Sequence, residues 1–348
     1  MDIGNVMRAA GLGLVLAGPV AMSPVLAQSG EVNIYSYREP GLIQPLLDKF
    51  TEETGIKTNV LFAGNGLIER AAAEGEFSPA DLIITVNIGT LTKAKEMGLS
   101  QPFDAPVLAD VPATYKDADG HWTALSMRAR VYYASNERVK EQTLNYEDIA
   151  KPEWKGRVCT RSGQHVYNIG LIASRIKHWG LDKTRDWLAA VRDNLTGAPT
   201  GNDRAQVKAI YSGECDLAIG NTYYMGLMMT NEAEPEQKDW AKAARIIYPD
   251  AETDGTHVNV SGAILAKHAP NKANAETLVR WLLSAEAQQL YAGSNFEFPI
   301  MPGVAPSELV ASWGKLNPDP TPLGEIGDLE PEASALVDEV QFDSGPQN

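Results

Sequence analysis

Residues 31–62 read EVNIYSYREPGLIQPLLDKFTEETGIKTNVLF. The first seven alternate apolar and polar side chains, as a half-buried strand does. Apolar residues then recur at helical spacing through LIQPLLDKF, and Gly55 stands where such a helix would stop. IKTNVLFA reads as a second strand, GLIERAAAEG as a helix and ADLIITV as a buried strand. This β-α-β-α-β rhythm predicts an α/β fold with a largely parallel sheet covered by helices.

The pattern continues in a second half. RVYYASNERV reads as a strand running into a turn, and GRVCTRSG as a strand and loop. YNIGLIASRIKHWG is a helix ending at Gly180, and KTRDWLAAVRDNL is another. NDRAQVKAIYSG is a helix capped by Asn202 or Asp203, followed by the strand CDLAIGN. GAILAKHAPN and KANAETLVRWLLSAEAQQLYA predict a strand and one long helix, with a terminal helix near 332–340. No repeat, low-complexity block or long linker is visible, so the reading is two lobes joined by short crossings.

Upstream, Arg8 precedes the apolar run AAGLGLVLAGPVAM and the small-residue site Val25-Leu26-Ala27. This is the pattern of a secretory signal peptide, residues 1–27, cut after Ala27, with Met7 a second candidate start. The run is broken by Pro19 and is short for a bilayer span. The remaining chain is expected to be soluble and exported. The full sequence, 44% apolar and 22% charged, has the composition of an ordinary globular protein. A net charge of −15 argues against nucleic acid and acidic membranes. The two cysteines, Cys159 and Cys215, read as one disulfide, worth roughly 4 kcal/mol by loop closure, or as two buried thiols. Neither has partners spaced for a metal.

No HExxH, GxSxG, Walker or GxGxxG motif occurs, and five histidines are scattered without ligand spacing. No nucleophile, base and orienting group can be assembled, so an enzyme is not expected. Ligands of open α/β sheets sit beyond the carboxyl ends of strands. Three polar loops follow predicted strands there: SYREPG with Tyr37, Arg38 and Glu39, RSGQHVYN with His165 and Tyr167, and GNTYYMG with Tyr223 and Tyr224. Three converging phenols suit a hard, highly charged cation such as Fe³⁺, which can displace a phenol proton well below its usual pKa of about 10. Tyrosine also lines clefts simply as an amphipathic wall. The pair Tyr132–Tyr133 in VYYAS is explained by strand alternation alone, so spacing leaves both readings open.

Beyond these loops, several phrases together, above all GNTYY after the cysteine-led strand and KPEWKGRVCTRSG, GNDRAQVKAIYSGECDLAIG and GTHVNVSGAILAKHAPNKANA, resemble the periplasmic ferric-iron-binding proteins of bacterial ABC transporters. The resemblance spans essentially the whole chain after the signal segment. It implies a two-lobed type 2 periplasmic binding protein with crossing hinge strands, each lobe a mixed, mostly parallel sheet. Lobe 1 would comprise 31–128 and 257–302, and lobe 2 residues 129–256 and 303–348. Tyr167, Tyr223 and Tyr224 match iron-binding phenolates, Arg38 and Arg128 match arginines that hold a carbonate-like anion, and Cys159 and Cys215 match a disulfide pair. The chain departs from the family where some members carry a first-loop histidine or tyrosine: here stand Glu39, Pro40 and Gly41. A family carboxylate after the PAD strand is also missing, with Val86 and Asn87 in that region. An external anion is favoured to complete the shell, because Arg38 and Arg128 would otherwise meet no charge, and Glu39 is the rival ligand. His165 and Tyr37 are expected as supporting residues around the metal, and His257 as structural. The implied function is capture of Fe³⁺, with a synergistic anion, and delivery to an inner-membrane ABC permease by a periplasmic monomer. The alternative is a receptor for phosphonate- or sulfate-like anions, with the arginines binding and the tyrosines as walls.

Overall fold

The structure, a computed structural model, describes Met1 and residues 30–347. The signal-peptide expectation falls on residues outside the described ones. The N-terminal part runs β1 (Glu31–Ser36), α1 (Pro40–Thr54), β2 (Lys57–Phe62), α2 (Leu67–Glu74), β3 (Leu82–Thr85), α3 (Ile88–Glu96) and β4 (Ser100–Gln101). The middle follows as β5 (Trp122–Ser135), β6 (Val158–Cys159), α4 (Val166–Trp179), α5 (Leu181–Asp193), α6 (Asp203–Ser212), β7 (Leu217–Asn221), α7 (Tyr223–Met229), α8 (Glu236–Lys242) and β8 (Ala244–Ile247). The chain ends with β9 (Val258–Ala266), α9 (Lys272–Leu282), α10 (Ala285–Asn295), α11 (Glu308–Ala311), α12 (Leu323–Gly327) and α13 (Glu330–Glu339).

The strand order is β2-β1-β3-β9-β5-β7-β6, with β4 beside β9 and β8 beside β5. β1 lies parallel to β2 and β3, so Ile34 stands between Val60 and Leu82. The 14-residue β5 serves both halves. Its first part, Trp122–Ala129, pairs antiparallel with β9, and Arg130–Ser135 pairs with β7 and β8. Two sheets therefore meet along one strand, and the backbone passes between them at Ala129–Arg130. The apolar runs read from the sequence are buried as expected: Leu82, Ile83 and Ile84 of β3 and Val258, Val260, Ile264 and Leu265 of β9 form the core of the first sheet.

Two expectations need correcting. The sheets are mixed, but antiparallel pairings outnumber parallel ones: only β1 with β2 and β3, and β6 with β7, run parallel. β5 runs from one sheet into the other, and β9 lies antiparallel to β3, β4 and the first part of β5, so neither needs the covering helix that a parallel neighbour requires. The expected single helix over 272–292 is two, because Ser284 takes an extended backbone and accepts a hydrogen bond from Ala287 N at 3.2 Å. That is an N-cap, and it starts α10 afresh. Cys159 and Cys215 form a disulfide, Cα atoms 6.0 Å apart, tying the end of β6 to the approach to β7.

Candidate metal and anion site

GNTYYMG straddles the end of β7 and the start of α7, and its glycines are structural. A Cβ on Gly220 would lie 2.0 Å from the Tyr133 ring, and one on Gly226 would lie 2.3 Å from Phe296. These close contacts fix the turn that carries the two tyrosines. The Tyr223 and Tyr224 rings stack, centroids 4.2 Å apart and planes at 29°. Tyr132 and Tyr133, by contrast, lie fully buried inside β5, where their hydroxyls bond backbone carbonyls.

Tyr167 arrives from the second position of α4. His165 caps that helix, its Nδ1 accepting from Tyr167 N at 3.3 Å, and its ring meets the Tyr167 ring edge-on at 4.5 Å. Burial, with Arg161 and Arg130 nearby, holds His165 down to a pKa of about 3, so the ring is neutral and free to accept. His165 thus orients Tyr167 through the backbone and ring packing, not through the phenol. The Tyr167 and Tyr223 hydroxyls lie 3.3 Å apart. Three guanidiniums surround the Tyr167 ring, from Arg161 at 5.3 Å, Arg128 at 5.5 Å and Arg130 at 5.9 Å. Burial raises the pKa of Tyr223 and Tyr224, and the neighbouring Tyr167 raises both further. Three phenols this close cannot readily lose protons unaided; a multiply charged cation among them supplies the missing stabilisation.

From the first sheet, the loop after β1 brings Tyr37, Arg38 and Glu39. Tyr37 accepts from Ile68 N at 2.9 Å, which pins it to the start of α2. Arg38 is buried, its Nη1 2.8 Å from Glu297 and 2.7 Å from Ser261 Oγ. Arg128 reaches the same Ser261 Oγ at 3.1 Å but, among the described residues, pairs with no carboxylate. The Nε and Nη2 atoms of both arginines are buried without a hydrogen-bond partner among the described residues. Arg38, expected to meet no charge within the chain, is instead paired with Glu297. Glu39 is exposed at the rim.

Tyr37, Arg38, Glu39, Tyr167, Tyr223 and Tyr224 line one cavity of about 110 Å³, together with Leu42, Val86, Leu227 and Arg204. Arg128 does not line this cavity; its guanidinium sits 5.5 Å from the Tyr167 ring that does. Among the described residues, no group of three or more His, Cys, Asp or Glu could hold a metal, so phenol oxygens are the concentrated donor set. Val86 stands on the wall where the family carboxylate was missed, and Asn87 is turned away toward Glu330, 3.4 Å off. His257 is fully buried and, held down to a pKa of about 3 by burial, is neutral; its carbonyl accepts from Arg130 N at 3.0 Å, beside the strand crossing.

Sequence reading missed Glu297 and Arg204, and offered Asp203 only as an alternative helix cap, a task that Asn202 performs. Asp203 binds Arg130 at 2.5 Å, Arg161 at 2.7 Å and Asn221 N at 3.0 Å, so it anchors the start of α6 to the end of β7. A signal existed for Glu297, a carboxylate inside the apolar run FEFPIM. One existed for Arg204 too: a cation in the first turn of a helix opposes the helix dipole and needs another reason.

A family model described as "Bacterial extracellular solute-binding protein" matches residues 77–315. The chain belongs to that family, among its ferric-binding members. Iron uptake protein A1 of Synechocystis sp. is 39% identical over 92% of this chain and 89% of its own length. The apo ferric ion-binding protein A of Pasteurella haemolytica superposes with a TM-score of 0.85 and 46% identity, over 90% of this chain and 98% of that one. The Trichodesmium protein solved with iron and citrate ligands gives 0.86 and 35%, over 90% and 100%. As a solute-binding protein it is not an enzyme, and the α/β periplasmic binding fold is shared with these ferric-binding relatives.

Proposed function

We propose that this protein captures Fe³⁺ in the cleft between its two sheets and hands it to an inner-membrane ABC permease. Tyr167, Tyr223 and Tyr224 would bind as phenolates, whose charge cancels that of the ion. A bidentate oxyanion such as carbonate would fill remaining positions, held by Arg38 and Arg128. The observation that carries the reading is the convergence of three phenols from α4 and α7 on one small cavity that also exposes Arg38. The supporting relatives are named for iron or ferric binding. Lobe 1 (31–128, 257–302) would close on lobe 2 (129–256, 303–348) about the shared strand β5, completing the site and excluding water.

Iron titration of apoprotein tests this. A visible tyrosinate-to-iron charge-transfer band is expected, and its absence would reject the phenolate site. The unpartnered nitrogens of Arg38 and Arg128 favour a second reading, an anion receptor walled by tyrosines. The double variant Tyr223→Phe, Tyr224→Phe separates the two: ferric binding collapses under the first reading, and oxyanion binding survives under the second.

A further inference from the structure

Three of the arginines around the cleft pair with a carboxylate: Arg38 with Glu297, and Arg130 and Arg161 with Asp203; Arg128, set off the cavity wall, reaches only the Ser261 hydroxyl among the described residues. Arg204 stands apart. Its guanidinium lies 5.0 Å over the Tyr224 ring, it forms no ion pair with a described residue, and its Nε is buried without a partner. It nonetheless lines the metal cavity. A cation over a ring face is worth only about 0.5–1 kcal/mol where exposed, and the ring consumes none of its five N–H donors. The neighbouring Asp203 is directed elsewhere, its carboxylate accepting from Arg130, Arg161 and Asn221 N.

Arg204 is carried by α6, on the second sheet's side, and Arg38 by the loop after β1, on the first sheet's side. Both border the same cavity and both keep buried nitrogens unpartnered. We propose that Arg204 is a specificity-determining contact for the oxyanion that accompanies the metal, gripping it from the side opposite Arg38. This inference rests on the ferric reading above and extends it. An oxyanion shared by two arginines on facing halves has its planar edges matched to two guanidinium forks. It also makes closure depend on the anion, since either arginine alone binds it only in one half. The cavity, about 110 Å³, holds an ion with a small oxyanion or one carboxylate arm of a chelate.

The full chain is compared with Arg204→Gln and Arg204→Lys, each loaded with Fe³⁺ in bicarbonate, in citrate and with neither added. The charge-transfer band reports the phenolates, and iron loss to a competing chelator reports retention. Arg204→Gln is expected to keep a band but to lose about tenfold of the retention that an added oxyanion confers, and Arg204→Lys to regain part of it. A loss seen only with citrate identifies a chelate carboxylate, and one seen only with bicarbonate identifies carbonate; both support the proposal. If all three proteins gain retention equally from either anion, Arg204 has no such role. A wild-type protein without any band overturns the ferric reading itself, a separate result.

Discussion

Glu297 shows what a single buried charge does here. It neutralises Arg38 within the protein and takes a hydrogen bond from Ser126, which fixes the arginine at the cavity wall with its other donors free. Replacing Glu297→Ala should cost roughly 3–5 kcal/mol, since it strands a buried guanidinium; urea unfolding of the apoprotein measures it. Asp203 has the matching task across the cleft. Burial opposes its charge, yet Arg130 and Arg161 overcome that and hold its pKa below the usual range. An acid with a lowered folded pKa stabilises above its unfolded value of about 4 and loses that contribution as pH falls through the folded one. Thermal melts of Asp203→Asn should therefore lie below wild type at neutral pH and converge with it in acid. At this scale the sequence disclosed the tyrosines through their loops. It hid Glu297, because a chain position says nothing of the partner 259 residues away that makes a buried carboxylate tolerable.

Among elements, the start of α3 meets the start of α13. Glu330 accepts from Gly89 N at 3.2 Å and from the Asn87 side chain at 3.4 Å, so a residue of the C-terminal helix caps a helix of the first sheet's side. Burial drives its pKa up to about 8, against the pull of those two donors. An acid with a raised folded pKa holds its proton in the native state after the unfolded chain has lost it. Stability should therefore fall as pH climbs from about 4.5 to about 8. Glu330→Gln should flatten that slope in denaturation curves collected across this window. β7 offers a steric counterpart: Gly220→Ala drives a methyl into the Tyr133 ring and should destabilise by about 1–3 kcal/mol, seen as a lowered urea midpoint. The helices and the strands of the first sheet were legible from apolar periodicity. Strand direction was not, because a buried strand has the same composition whichever way its neighbour runs. The break at Ser284 also escaped, since apolar spacing continues across it and only the cap marks it.

For the whole molecule, the position of β9 has a consequence for how the chain is made. β3 and β5 are not neighbours; β9, some 170 residues after β3, lies between them. While the chain is emerging, the first sheet lacks its middle strand, and the pairings that close it are among the most distant in sequence. Such contacts form late and slowly. A chain cut after residue 256 should show residues 31–85 open to amide exchange, with protection appearing once residue 266 is included. Vectorial synthesis thus leaves the N-terminal half unlocked until three-quarters of the polypeptide exists. A translocation machine that threads extended polypeptide would meet a chain whose own topology postpones its collapse.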